Sequence, residues 1–307
     1  MRLFTRADFD GLVCAAILEE LNIVDEITYI HPQDLQDNKI RVTGKDIIAN
    51  APFVEGCGLW FDHHCSEHER LQLAGSYTGA SELAPSAAQV VYRYFENKNG
   101  YHKKLKKFKE LVAVTDIVDS AQFTQDDILN PQGYVLLSFL SDPRTGLGLR
   151  QTFRISNLEL MKQMPRLLRT KSVEQILNMA DFQQRIQVYY DETERYKQFL
   201  LENSCIKGHA IVIDFRGIEN PPIGNRFLEY VLHPEQNISI RVADGKNHEF
   251  TMISVGHSII NRTSQVNVGS LTLIYGGGGH HQVGACQVNC EDAETILNEI
   301  VQLINTK

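Results

Sequence analysis

The run GLWFDHHCSEHE closes an apolar stretch with Asp62, His63 and His64, a carboxylate and two imidazoles in a row. A folded core has little use for that crowding, because each polar group would need its own partner once water is removed. A metal ion accepts such lone pairs directly. Further groups of the right kind stand at the ends of other apolar runs: Asp8 and Asp10 in RADFDG, Asn50 closing KDIIAN, and Asp116 in VTDIVDS. Asp8 and Asp10 straddle one residue, so a tight turn with room at Gly11 can aim both carboxylates at one point. Carboxylates mixed with imidazole suit manganese, magnesium or iron better than a tetrahedral zinc site. Without a cation, several acids in one pocket repel one another and drive pKa values up. A pair of cations removes that repulsion and creates a centre for phosphoester hydrolysis. Taken singly each element is weak: Asp-x-Asp-Gly occurs in ordinary turns, and Asp116 alone reads as a helix cap. The order and spacing of the set carry the reading.

A second candidate site is GGGGHH, over 276–281. Its flanks are strand-like and helical, which argues against a flexible linker. Consecutive glycines let backbone N–H groups close on an anion, and a following histidine adds a donor. The run is therefore expected to cradle a phosphate or carboxylate, with Arg262 upstream as a bidentate phosphate donor. TGLGLR, beginning at Thr145, is a weaker glycine loop and reads as a turn.

The elements that must position these groups follow from periodicity. MRLFTRADFDGLVCAAILEEL starts as a strand and continues as a helix; EITYIHP, KDIIANAP and CGLWF are three more strands. Short apolar strands alternating with helical stretches give βαβ units and a largely parallel sheet. In such a sheet, ligands gather beyond the carboxyl ends of the strands, where the acids and histidines fall. APSAAQVVYRYFENKNG reads as a helix, with Pro85 and Ser86 near its start and an Asn-Gly at its end. KELVAVTDIVDSAQF brings Asp116 and Asp119 to the close of another apolar segment. The pattern is helical over about 156–203, and β-like again in HAIVIDF and in ISIRVADGKNHEFTMISVG, read as a hairpin. DAETILNEIVQLINTK is a closing helix. The fold class is α/β: a largely parallel-sheet domain over 1–180, a bridging helix over 181–205 and a smaller C-terminal α/β domain over 206–307.

Composition bounds the function. With 307 residues, 43% apolar and 22% charged, the chain is an ordinary two-domain globular protein. No apolar run approaches the roughly 20 residues that span a bilayer, and no leader precedes the first strand, so a cytoplasmic protein without a membrane partner is expected. The formal net charge of −8 disfavours long duplex nucleic acid. The one basic cluster, YHKKLKKFKE over 101–110, spaces its lysines as an exposed helix face around Leu105 and Phe108. Six scattered cysteines, without a CxxC pair, argue against a disulfide framework or zinc clip; Cys286 and Cys290 are expected as buried thiols on one strand face. Phe215 and Tyr275 are available to stack on a base, although the ordinary reading of both is core.

Together, RADFDG, FDHH, VTDIVDS and GGGGHHQVGA, in this order, resemble the DHH phosphoesterase family with its DHH-associated C-terminal domain, over essentially the whole chain. The resemblance implies a DHH catalytic, metal-binding domain followed by a domain that grips the far end of the substrate. It implies Asp8, Asp10, His63 and Asp116 as metal ligands, Asp62 as a ligand or its support, and His64 facing the phosphate. Gly277, Gly278, Gly279 and His280, with Arg262, would hold phosphate or nucleotide. Two places depart from the family pattern. Thr5, Arg6 and Ala7 stand where many members have a histidine before the acid pair. Asn50 stands where the family has a metal-bridging aspartate, and Asp46, the nearest acid, lies at the other end of that strand. The expected protein is a manganese-dependent phosphoesterase, with one or two ions and magnesium as the alternative metal. Its expected substrates are short single-stranded oligonucleotides or small nucleotide phosphates, and a homodimer is the assembly to test. The alternatives are an exopolyphosphatase and a non-catalytic nucleotide-binding protein with a decayed metal site.

Overall fold

The computed structural model describes residues 1–64, 76–98, 100–150 and 152–306, without the side chains of Leu149 and Arg150; Cys65 and Asn99 lie outside the described residues. The chain divides into two compact units that interleave along the sequence. The first comprises Met1–Gln122, Pro131–Pro143 and Thr152–Ile186; the second comprises Phe123–Asn130, Arg144–Gln151 and Gln187–Lys307.

The first unit is built on five parallel strands, β1 (Arg2–Thr5), β2 (Glu26–Tyr29), β3 (Asp46–Ala49), β4 (Leu59–Asp62) and β5 (Gly79–Ser81), in the order β2-β1-β3-β4-β5. Parallel sheets are covered on both faces, so their central strands read as apolar without alternation. Phe4, Ile48 and Trp60 join one buried cluster with Leu35 and Ala51. Leu3, Ile47 and Phe61 are equally buried. The helix Phe9–Glu20 is buried almost all round, from Phe9 to Leu18, as a helix apolar on every side must be. It packs against the helices Ala87–Glu96, Lys109–Asp119 and Asn157–Thr170. The order reverses direction between β1 and β3, the switch point at which such sheets open a crevice.

Asp46 shows how this sheet is anchored at its other end. Its carboxylate accepts from Arg2 Nε at 3.1 Å and from Thr43 N and Oγ1 at 2.8 Å. Burial alone would raise its pKa, but the Arg2 and Thr43 bonds outweigh it and hold the group below its ordinary value. A lowered folded pKa stabilises above the unfolded value near 4, and that stability is lost as pH falls through the folded one. Asp46→Ala is therefore expected to cost about 1–3 kcal/mol at pH 7. In urea titrations the gap to wild type should close below about pH 4; a gap independent of pH would refute this.

The second unit is a six-stranded sheet of β6 (Ser204–Lys207), β7 (Ala210–Asp214), β8 (Ile238–Asp244), β9 (Thr251–His257), β10 (Gly278–Gly279) and β11 (Val283–Val288), in the order β10-β11-β9-β8-β7-β6. Only the β7–β8 pair is parallel. Ile238, Ile240, Val242, Ile253 and Val255 alternate onto one face and pack with Leu271, Leu297, Ile300 and Ile304, from the helices Val268–Leu273 and Ala293–Asn305. Ser239, Arg241, Ala243, Met252 and Ser254 alternate onto the other face.

Several local expectations are refined. TGLGLR is not an open turn: a 3-10 turn, Pro143–Thr145, runs into the short helix Leu147–Arg150. The basic cluster breaks into the helical turns His102–Leu105 and Lys106–Phe108, which bury Leu105 and Phe108 and leave the lysines outside. Cys286 is buried in β11, but Cys290 lies beyond the strand end and is exposed. Among the described residues, no helix is long and apolar enough to cross a membrane.

Candidate metal centre and substrate-binding residues

Three adjacent strands deliver the site. β1 ends at Thr5 and the chain turns through Asp8, which caps the following helix by accepting from Gly11 N at 3.0 Å. Gly11 is required there: a Cβ would stand 2.1 Å from the Arg6 carbonyl oxygen. Asp10, in the first turn, is 1% exposed and accepts from the N–H groups of Ala87 and Ala88 at 2.8 and 2.7 Å. The N-terminus of the helix Ala87–Glu96 thus fixes this acid, as helix dipole and free N–H groups favour. Asn50 follows β3 in the left-handed region, at φ 54°. Its Nδ2 donates to Asp8 Oδ1 at 2.9 Å, while its buried Oδ1 has no hydrogen-bond partner.

β4 ends in Asp62, whose side chain is fully buried. Asp62 accepts from the backbone N–H of His64 at 3.1 Å and meets the His64 ring at Nδ1 at 2.9 Å. The structure thus uses Asp62 to hold His64. His63 Nδ1 donates to the Ala84 carbonyl at 3.0 Å. Its Nε2 stands 3.1 Å from Asp119 Oδ2 and 3.9 Å from Asp10 Oδ2. Asp10, His63 and Asp119 each offer a ligand atom, all within 4.8 Å of one another.

Electrostatics agree with that grouping. Burial, then the charges of Asp119 and Asp8, push Asp10 well above the ordinary carboxylate range, against the counter-effect of His63. Burial would lower His63, yet its bond to Asp119 and the charges of Asp10 and Asp119 push it up to about 9. The cluster carries more negative charge than its surroundings neutralise, and His63 holds a proton where a cation would serve. Carboxylate and imidazole donors of this kind fit manganese or magnesium, and the orphan Asn50 oxygen adds a further neutral donor beside them.

Asp116, the acid chosen from the sequence, is otherwise engaged. It accepts from Ser86 Oγ at 2.6 Å and from Gln89 Nε2. Asp119, one turn further and the last residue of the helix Lys109–Asp119, reaches the cluster instead. Both acids stand in VTDIVDS; only the helical register and the capture of Asp116 by Ser86 separate them.

In the second unit the glycine run forms an edge strand. The N–H groups of Gly276, Gly277 and His280 donate within the fold, to Leu273, Thr272 and Val283 carbonyls, so those three are not open to a phosphate. Cβ atoms on Gly277 and Gly279 would stand 2.1 and 2.2 Å from carbonyl oxygens of β11, whereas one on Gly278 meets nothing within 4 Å. His280 is exposed. Arg262 donates from Nε to the Ile259 carbonyl at 2.9 Å. Tyr275 is half-buried against the core and donates to Glu299; Phe215 lines a cavity. The contacts predict a split: Gly277→Ala should cost about 1–3 kcal/mol by overpacking, and Gly278→Ala almost nothing. Thermal melts check this. Loss of substrate affinity in Gly278→Ala at an unchanged melting temperature would mark the run as a ligand contact.

No protein-family model matches the chain, and no curated protein matches its sequence. Solved structures do. A pGpG-specific phosphodiesterase, PggH from Vibrio cholerae, is 37% identical over 99% of both chains, with a TM-score of 0.85. The DHH domain of a protein described as a member of a ribosomal-protein family matches at 12% identity, over 99% of this chain and 86% of that one, with a TM-score of 0.60. RecJ from Thermus thermophilus, in complex with Mn2+, matches at 12% identity over all of this chain and 52% of its own, with a TM-score of 0.53. The last two establish likeness of fold.

Proposed function

We propose, on the premise that this chain belongs to the DHH phosphoesterase family and is a phosphoester hydrolase, that it is a manganese- or magnesium-dependent phosphodiesterase of pGpG or a similarly short oligonucleotide. The observation that carries this reading is the end-to-end likeness to a pGpG-specific phosphodiesterase. The residues at the sheet switch point supply a fitting chemistry.

Asp10, His63 and Asp119 would hold the cation, with Asp8 and Asn50 beside them. Bound there, a divalent cation supplies Lewis-acid stabilisation of charge on the phosphoryl oxygens and makes the attacking water more acidic. The chain's own residues set the geometry. The Nδ1 bond of His63 to Ala84 fixes the ring and leaves Nε2 to act as a ligand. Asp62 accepts from His64 Nδ1, which leaves Nε2 to take a proton and, in the imidazolium form, to donate one to a phosphoryl or leaving oxygen. Gly278, His280 and Arg262 would meet a terminal phosphate in the second unit.

Asp62→Asn is expected to lower kcat about 10–100-fold with little change in KM, because it releases an orienting partner. Steady-state kinetics check this; a change confined to KM would assign Asp62 to substrate binding instead.

The function itself is tested by chromatography of products from pGpG, pApA, a short RNA series and polyphosphate, with manganese present. Mononucleotide from the dinucleotides supports the reading. Orthophosphate from polyphosphate, with the dinucleotides intact, would replace it with an exopolyphosphatase.

A further inference from the structure

The second unit contains a cavity of about 650 Å³, a size typical of small-molecule sites. It lies on the sheet face that carries Arg241, Ala243, Met252 and Ser254, opposite the buried helices, and Phe215 and Glu219 line it from the loop after β7. We infer that this cavity is a subsite for a guanine base, with Glu219 the residue that sets the preference. The inference rests on the proposed dinucleotide activity and names the part of the substrate that this unit reads.

The wall is built in advance of any ligand. Phe215 N donates to the Val242 carbonyl at 2.7 Å, Gly217 N to Asp244 Oδ2 at 2.7 Å, and Gly224 N to the Thr145 carbonyl at 3.1 Å. Pro221 and Pro222 stiffen the same loop. Gly224 leaves no room for a side chain, since a Cβ would stand 2.0 Å from the Tyr196 ring. A loop so tied loses little freedom on binding.

Charge decides which part of a nucleotide fits. Arg241 is already met by Glu229 and by the Arg226 carbonyl, at 2.8 Å each. Two carboxylates, Asp244 and Glu219, face the same space beside Arg144 and His248, so a phosphate there meets repulsion as well as attraction. An uncharged base suffers no such penalty, and the Phe215 ring offers it a stacking surface. Asp244 spends Oδ2 on Gly217 N. Glu219 is exposed and makes no hydrogen bond or ion pair to any described residue. Its two oxygens accept in parallel, which matches the adjacent N1–H and N2–H donors of guanine. Adenine turns an acceptor, N1, toward the same carboxylate.

The test uses the full chain without added metal, titrated calorimetrically with guanosine and adenosine, which carry no phosphate. Wild type should bind guanosine at least about ten-fold more tightly than adenosine, and Glu219→Gln should lose about ten-fold for guanosine alone. In parallel, the ratio of kcat/KM for pGpG over pApA should fall about ten-fold in Glu219→Gln. Equal affinity of wild type for the two nucleosides, or unchanged ratios in the variant, overturns the inference. Selective guanosine binding by a protein that hydrolyses neither dinucleotide supports the subsite and overturns the proposed activity.

Discussion

Asp10→Asn is expected to reduce kcat/KM for pGpG about 10³-fold in saturating manganese. Asp10 is buried, held by two helix N–H groups and brought within 4.8 Å of His63 and Asp119 ligand atoms. An amide in its place removes the negative charge from the position least able to replace it. Losing several kcal/mol of charge stabilisation in the transition state corresponds to about three decades in rate. Circular dichroism would show whether the variant still folds, since one of the two N–H acceptors is also lost. Activity within about ten-fold of wild type, in a folded variant, would remove Asp10 from the metal centre.

The second large effect separates two acids on neighbouring turns of one helix. Asp119→Asn should lower kcat/KM about 10²–10³-fold, whereas Asp116→Asn should cost less than about ten-fold, because Asp116 is bonded to Ser86 and Gln89. Manganese should raise the melting temperature of wild type and of Asp116→Asn, since a ligand at about 100 times its Kd stabilises by about 2.7 kcal/mol. It should leave Asp119→Asn nearly unshifted. The reverse pattern would return Asp116 to the metal.

Asn50, Asp62 and His63 are legible as candidates because they close or follow strands, whereas Asp10 stands in the first turn of one helix and Asp119 at the end of another. The apolar runs announce the strands, and the acids and histidines follow each run at once. The same periodicity points to the parallel sheet whose switch point collects them. The proximity of Asp119 rather than Asp116 to Asp10 and His63 was not legible, because it depends on where one helix ends and which acid Ser86 meets. Asp62 stood beside two histidines, and only the fold shows it spending both oxygens on His64. The glycine run announced small residues, but close packing against β11 explains Gly277 and Gly279. The cavity of the second unit had no motif at all: it is assembled from alternate residues of β8 and β9 and from a loop fixed by backbone bonds.

The proposed activity is hydrolysis of a short guanine oligonucleotide at a cation held by Asp10, His63 and Asp119. The most direct measurement follows GMP release from pGpG by chromatography, with chelator-treated protein before and after Mn2+ or Mg2+ is returned. No GMP is expected in chelator, and prompt release once either cation is restored. Undiminished release in chelator would contradict this.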